Sequence, residues 1–327
     1  MELPPELQSA LNQLLATWPK KSLAEAVSTL SDRYRDGGPG LTGRFTESAQ
    51  DVAAYAAYRL PATYAAVSGV LEEVLERLPG FSPHTLLDVG AGPGTAMWAA
   101  SRVWPSITTA ALLERDPDMA TWGQRLAAYS DNSMLSQARW ESIDLTRPWQ
   151  TQASDLVIAS YVLGELGEAR RMSFVAKLWE YTLGALVLVE PGTPEGFKRI
   201  LAARQSLLAS GAIIVAPCPH QDHCPRDWCH FAKRVARSRI HRQAKGSTLA
   251  YEDEKFSYVV VSRSPGLPIT GRIVRHPQAG KAHINLELCT PTGIFHETIT
   301  KKAGERFRLA RHANWGDAFP SKTDPSS

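Results

Sequence analysis

Thr85-Leu86-Leu87-Asp88-Val89-Gly90-Ala91-Gly92-Pro93-Gly94-Thr95 is the stretch on which the fold turns. Its apolar beginning, Thr85–Val89, reads as a buried strand. Three glycines at alternate positions then break the pattern, and Thr95–Val103 continues at helical spacing. A strand, a glycine turn and a helix in this order let backbone approach a ligand closely. Glycine has no Cβ to collide with it and accepts positive φ, so N–H groups at the helix start can face the ligand. Asp88, Gly90, Ala91, Gly92 and Gly94 are therefore the candidate contacts of a cofactor loop.

Downstream, short apolar runs alternate with helical stretches, the pattern of a parallel sheet covered on both faces. The expected strands are Thr85–Val89, Thr109–Leu113, Ala138–Ile143, Leu156–Ser160 and Ala185–Glu190, with Glu168–Leu183 among the helices. Ala212–Ala216 and Phe256–Ser262 would complete seven strands. The roughly forty residues between these last two are too long for a hairpin loop and read as an insertion.

Glu114 ends the second strand about twenty residues after the glycines, where a carboxylate can accept hydrogen bonds from both ribose hydroxyls. A dinucleotide fingerprint would want Gly or Ala where Thr95 stands. The Asp two residues before the first glycine, followed by Gly-x-Gly-x-Gly, instead resembles motif I of class I methyltransferases. That resemblance implies S-adenosylmethionine as cofactor, with Asp144, after the third strand, at the adenine. Tyr161, Gly164 and Glu165 follow the fourth strand and line the expected methyl-transfer side, which makes Tyr161 and Glu165 the catalytic candidates.

The expected class is thus α/β: a seven-stranded methyltransferase-type Rossmann sheet with three additions. Residues 1–80 are expected to be helical, 81–264 to form the cofactor domain with a cysteine-rich basic insertion at 217–250, and 265–320 to be a small β-rich module. The polar tail 321–327 is expected to be disordered. Tyr55–Tyr64 places Arg59 and three tyrosines around Pro61, which reads either as a substrate lid or as a proline-broken packing helix. A net charge of +3 puts any nucleic-acid contact in a local patch. No apolar run is long enough to span a membrane and the start lacks a signal pattern, so the expectation is a monomer of the bacterial cytoplasm, or of the mitochondrial matrix in a eukaryote.

Cys218, Cys224 and Cys229 crowd into one segment and Cys289 is the only other cysteine. Four soft thiolates suit tetrahedral zinc or an iron–sulfur cluster. The three-plus-one layout, with proline after two of the cysteines, is closer to four-iron binding, while His220, His223 and His230 keep a zinc alternative open. Lys233, Arg234, Arg237, Arg239, His241, Arg242 and Lys245 follow with no acidic residue before Glu252. On a helix, Arg234, Arg237, His241 and Lys245 would share a face able to follow phosphates. Lys301, Lys302, Arg306, Arg308 and Arg311 form a second basic strip near Trp315.

Several segments together carry a wider likeness: the glycine loop, Tyr161–Leu166, Val189-Glu190-Pro191-Gly192-Thr193-Pro194, Ala216–His220, Trp228-Cys229-His230-Phe231 and Asn314-Trp315-Gly316-Asp317. From about Tyr55 to Asp317 the chain resembles the bacterial and mitochondrial methyltransferase-like family associated with the small ribosomal subunit. The resemblance implies a cofactor-binding protein with a [4Fe-4S] cluster on Cys218, Cys224, Cys229 and Cys289 that engages small-subunit ribosomal RNA during assembly. Ser160-Tyr161-Val162-Leu163 replaces the Asn/Asp-Pro-Pro-Tyr motif of amine methylation, and no cysteine follows the fourth or fifth strand to attack a pyrimidine. A catalytically inactive RNA-binding factor and a small-molecule methyltransferase with a zinc knuckle are the alternatives.

Overall fold

A computed structural model describes residues 1–36, 46, 48–237 and 249–320. The tail 321–327 lies outside the described residues. Helices α1 (Pro5–Ala16), α2 (Lys20–Asp36) and α3 (Ala49–Arg77) precede the sheet. Ser48 caps α3 by accepting from the Asp51 N–H. The Tyr55–Tyr64 segment is part of a packed helix, since α3 runs unbroken through Pro61. Ala53, Ala54, Ala56, Ala57, Leu60 and Ala62 around it are all buried, and that packing outweighs the roughly 3 kcal/mol a mid-helix proline costs.

The sheet strands are β1 (Thr85–Val89), β2 (Thr109–Glu114), β3 (Arg139–Ser142), β4 (Ser154–Ser160), β5 (Thr182–Pro191), β6 (Ile213–Ala216), β7 (Phe231–Ala236) and β8 (Tyr251–Ser262). They are interleaved with helices α4 (Thr95–Val103), α5 (Pro117–Ala127), α6 (Ser133–Ser136), α7 (Glu168–Glu180) and α8 (Pro194–Ala209). The order is β3-β2-β1-β4-β5-β8-β6, with β8 antiparallel to both of its neighbours. A parallel sheet with one reversed strand wedged before the sixth is the class I methyltransferase arrangement. β1 and β4 are buried almost throughout and pair directly, so the order reverses there and opens a crevice at their carboxyl ends.

Three expectations need correction. Helix α7 stops at Glu180, and Leu183 belongs to β5. The sheet has an eighth strand, β7, paired antiparallel along β8. The basic stripe begins on that strand rather than on a helix: Lys233 and Arg234 sit opposite Glu254 and Asp253. Residues 238–248, with Arg239, His241, Arg242 and Lys245, lie outside the described residues.

The C-terminal part is a second sheet of β9 (Arg272–Ile273), β10 (Gln278–Ala279), β11 (His283–Thr290) and β12 (Gly293–Thr300), followed by helix α9 (Glu305–His312). Ile273, Ile284, Leu286, Leu288, Ile299, Ala310 and Phe319 form its own small core. No helix among the described residues is long and apolar enough to cross a membrane.

Candidate cofactor pocket and cysteine cavity

Gly90, Gly92 and Gly94 all have positive φ, at 71°, 53° and 75°. A Cβ on Gly90 would stand 2.4 Å from Val162 Cγ2, whereas one on Gly92 would meet only the Tyr55 hydroxyl, at 3.9 Å. Gly90 is thus demanded by the packing of the loop after β4, and Gly92 keeps an open cradle. The loop is tied to β2 by Gly90 and Ala91 N–H groups donating to Leu113 O, at 2.8 and 3.1 Å.

Glu114 accepts from the Gly92 N–H through one oxygen and from the Asp116 N–H through the other, both at 2.7 Å. An ionised carboxylate offers about four lone-pair sites, so two hydroxyl donors can still be received. Asp88 is fully buried and neither carboxylate oxygen has a partner at full hydrogen-bond geometry among the described residues, the Met97 N–H at the start of α4 acting on it only weakly. Burial, and then the neighbouring Glu114 charge, push its pKa up to about 7. A buried, weakly bonded acid beneath an open glycine cradle fits a cationic ligand with a ribose, which S-adenosylmethionine is.

Tyr161 has the one positive φ recorded for a non-glycine among the described residues, 61°, a conformation tied to functional loops. Its hydroxyl donates to Glu254 at 3.0 Å, and the same carboxylate forms a fork with Arg59, with contacts at 2.9 and 3.2 Å. The Arg59 guanidinium lies 5.4 Å from the Tyr161 ring centre. Glu165 keeps access to solvent in the cleft, yet protein packed around it and the charge of Glu114 raise its pKa to about 7. The loop bearing both residues is held by buried Glu190, which accepts from Leu163 N–H at 2.9 Å and from Arg199 at 2.6 Å. Asp144 is turned onto Thr146, accepting from its N–H at 2.9 Å and its hydroxyl at 2.6 Å, and these bonds lower its pKa.

Because Asp88 is largely protonated below neutrality in the free protein and a cationic ligand favours the carboxylate, affinity for S-adenosylmethionine is expected to rise from pH 6 to 8 and then level off. Calorimetric titration across that range checks it, and Asp88→Asn is expected to abolish the slope. The sign is opposite for stability. With its folded pKa above the unfolded value, Asp88 binds a proton in the folded state that it lacks when unfolded, so the free protein loses stability as pH rises from about 4 to 7.

The four cysteines converge on a second cavity under α8, bounded also by Phe197, Ile200, Arg204, Arg226 and Arg272. Cys224 and Cys289 are buried, and all four are free thiols. Burial, then the nearby Cys218 and Cys224, push the Cys289 thiol up to about 12. Loading a metal here must therefore expel protons. Among the described residues no group of three or more His, Cys, Asp or Glu is arranged to hold a metal ion. One zinc would draw its thiolates to about 3.8 Å from one another, given Zn–S bonds of about 2.3 Å. Four free thiols lining one mainly apolar cavity are a donor set suited to zinc or to an iron–sulfur cluster.

Arg272, fully buried, joins this cavity to the rest of the molecule. It donates to Pro217 O at 3.0 Å, to Gly316 O at 2.7 Å and to both carboxylate oxygens of Glu73 on α3. Trp228 stacks on His230 with ring centres 4.2 Å apart, and Trp315 meets His230 edge-on at 4.7 Å. Two segments nominated separately by the sequence are thereby brought together beside Cys229.

The basic stripe is less bare than the sequence implies. Arg234 pairs with Asp253 at 3.0 Å, Arg237 with Glu252 at 3.3 Å and Lys233 with Glu72 at 3.6 Å. In the second strip Arg306 pairs with Glu297 and Arg308 with Glu305. Sequence reasoning missed Glu73, Arg204, Glu254 and Arg272. The first three carry no local pattern, but Arg272 stands in an otherwise apolar Gly271-Arg272-Ile273-Val274, a weak sign of a buried pair.

A family model described as mitochondrial small ribosomal subunit Rsm22 matches residues 49–320. The chain belongs to this family. It is 30% identical over 295 residues to the ribosome assembly protein METTL17, mitochondrial, of Homo sapiens, covering 82% of this chain and 62% of that one. It is 26% identical over 377 residues to the mitochondrial Rsm22-cox11 tandem protein 2 of Schizosaccharomyces pombe, covering 94% of this chain and 48% of that one. The Rsm22-family chain thus spans 62% and 48% of the lengths of these relatives. Among solved structures it is similar to a magnesium protoporphyrin IX methyltransferase from Synechocystis with bound S-adenosylmethionine, at 16% identity and a TM-score of 0.42, over 76% of this chain and 99% of that one. The fold assignment rests on the order and direction of the strands.

Proposed function

We propose that this Rsm22-family chain binds S-adenosylmethionine in the cleft between β1 and β4, carries a [4Fe-4S] cluster on Cys218, Cys224, Cys229 and Cys289, and acts on small-subunit ribosomal RNA during ribosome assembly. The carrying observation is the open cradle at Gly92 over the buried, weakly bonded Asp88 carboxylate. When bound, the cofactor supplies an electrophilic methyl group on a sulfonium. Glu114 receives the ribose, Asp144 stands ready at the adenine, and Asp88 balances the positive charge. Glu165, poised near neutrality in the cleft, is the candidate to take a proton from an acceptor.

Support for the partner comes from the human relative, named a ribosome assembly protein. Lys233, Arg234 and Arg237 are paired with carboxylates, which lowers their expected share of phosphate contact, and Arg239, Arg242 and Lys245 are tested as a separate group. Replacing these three by glutamine is expected to lower the steepness of log K against log salt for subunit RNA by about 2 to 3. The Arg234→Gln change alone is expected to lower it by less than 1. Equal slopes for both variants would remove this assignment.

One observation favours a second reading, cofactor binding without turnover. Tyr161, on the acceptor side, is engaged by Glu254 and Arg59. Tritium transfer from labelled S-adenosylmethionine to isolated small subunits separates the two: transfer establishes the enzyme, and its absence with the cofactor still bound establishes the second.

A further inference from the structure

Three arginines line the cysteine cavity, and two of them have carboxylate partners: Arg226 with Glu287 and Arg272 with Glu73. Arg204, on the buried face of α8, is only 3% exposed and has no such partner among the described residues. One of its nitrogens, Nη2, donates to His220 O at 3.0 Å. The other two, Nε and Nη1, are buried with no oxygen or nitrogen acceptor among the described residues, and the Cys218 thiol is the group that the guanidinium faces by charge and hydrogen bonding. Arg204 lies close enough to Cys218 to oppose the upward shift that burial imposes on that thiol. A buried cation with orphaned donors is costly unless something receives them.

A four-iron core held by four thiolates carries a net negative charge and exposes sulfur lone pairs, which is what this guanidinium lacks. We propose that Arg204 donates N–H···S hydrogen bonds from Nε and Nη1 to the sulfurs of the cluster, compensates its charge and raises its reduction potential. The inference rests on the cluster reading above. Hydrogen bonds to sulfur stabilise the more negative, reduced form, so the couple, which gains one electron from an external reductant, shifts upward.

The test uses the full chain reconstituted anaerobically with iron and sulfide, as wild type, Arg204→Met and Arg204→Lys. At the potential where half of the wild-type cluster is reduced, the reduced-to-oxidised ratio of Arg204→Met is expected to fall about tenfold, equivalent to about 59 mV for a one-electron couple. Arg204→Lys, which keeps the charge but not the fork, is expected to fall between. The Fe–S stretching bands of the wild type are expected to move in D2O and those of Arg204→Met to stay. A cluster of wild-type iron content in either variant, with unchanged midpoint and unchanged deuterium response, overturns the proposal. A wild-type chain that takes up no iron overturns the cluster reading instead.

Discussion

Replacing Arg272 by methionine is expected to lower the unfolding free energy by about 3–5 kcal/mol. The guanidinium is fully enclosed, and its removal deprives the carbonyls of Pro217 and Gly316 of their donor and leaves the Glu73 carboxylate with the longer Arg77 contact, at 3.9 Å. Those groups sit on three separate pieces of chain: α3, the approach to Cys218, and the segment after α9. Loss of the guanidinium is therefore expected to loosen the C-terminal sheet from the main one as well. Urea denaturation checks the first part, as a fall in midpoint at constant m. The double variant Arg272→Met/Glu73→Gln is expected to recover part of the loss by deleting the uncompensated charge. A shift below about 1 kcal/mol for the single variant would show that the pair contributes little beyond its desolvation cost.

Gly90→Ala is expected to weaken S-adenosylmethionine binding about a hundredfold, or about 2.7 kcal/mol. Two penalties combine. The left-handed backbone costs a residue with a Cβ about 1–2 kcal/mol, and the new carbon overlaps Val162 at 2.4 Å. Relief requires the loop to move off Leu113 O, which misplaces the Gly92 N–H now held by Glu114. Gly92→Ala separates the two effects, because its Cβ meets nothing closer than 3.9 Å. That change should leave the free protein within about 2 kcal/mol of wild type while still filling the cradle. Calorimetric titration and thermal unfolding read binding and stability independently. Partial rescue of Gly90→Ala by Val162→Ala would confirm the overlap, and wild-type affinity for Gly90→Ala would refute this account of the loop.

The parts of the molecule legible in the sequence are those in which partners lie close along the chain. β1, the glycine loop and α4 are contiguous, and Glu114 follows them at a spacing set by one helix and one strand. The seven expected strands are present in the expected order for the same reason. The start of the basic stripe, Lys233 and Arg234, is strand rather than helix because its strand-defining partners, Glu254 and Asp253, lie beyond the segment that separates β7 from β8. Arg234 looks unbalanced along the chain although it pairs with Asp253 across the ladder, and Lys233 reaches Glu72 on α3. Pro61 misled in the opposite direction. Its local penalty was visible, but the buried alanine-rich surroundings that absorb it come from the folded core. Arg204 carries no sequence signal and Arg272 only a weak one, because an arginine's burial depends on elements that the sequence does not place beside it.

Helix α3 ties its ends to groups made very late in synthesis: Arg59 waits for Glu254, 195 residues on, and Glu73 for Arg272, 199 residues on. At about 5–20 residues per second, a nascent chain spends about 10–40 s with these charged groups emerged and their partners not yet polymerised. During that interval the helix has its apolar face but neither of its distant anchors. Completion of the packing around α3 is thereby made contingent on the arrival first of β8 and then of the C-terminal sheet, and a chain truncated before Arg272 would lack the second of these anchors.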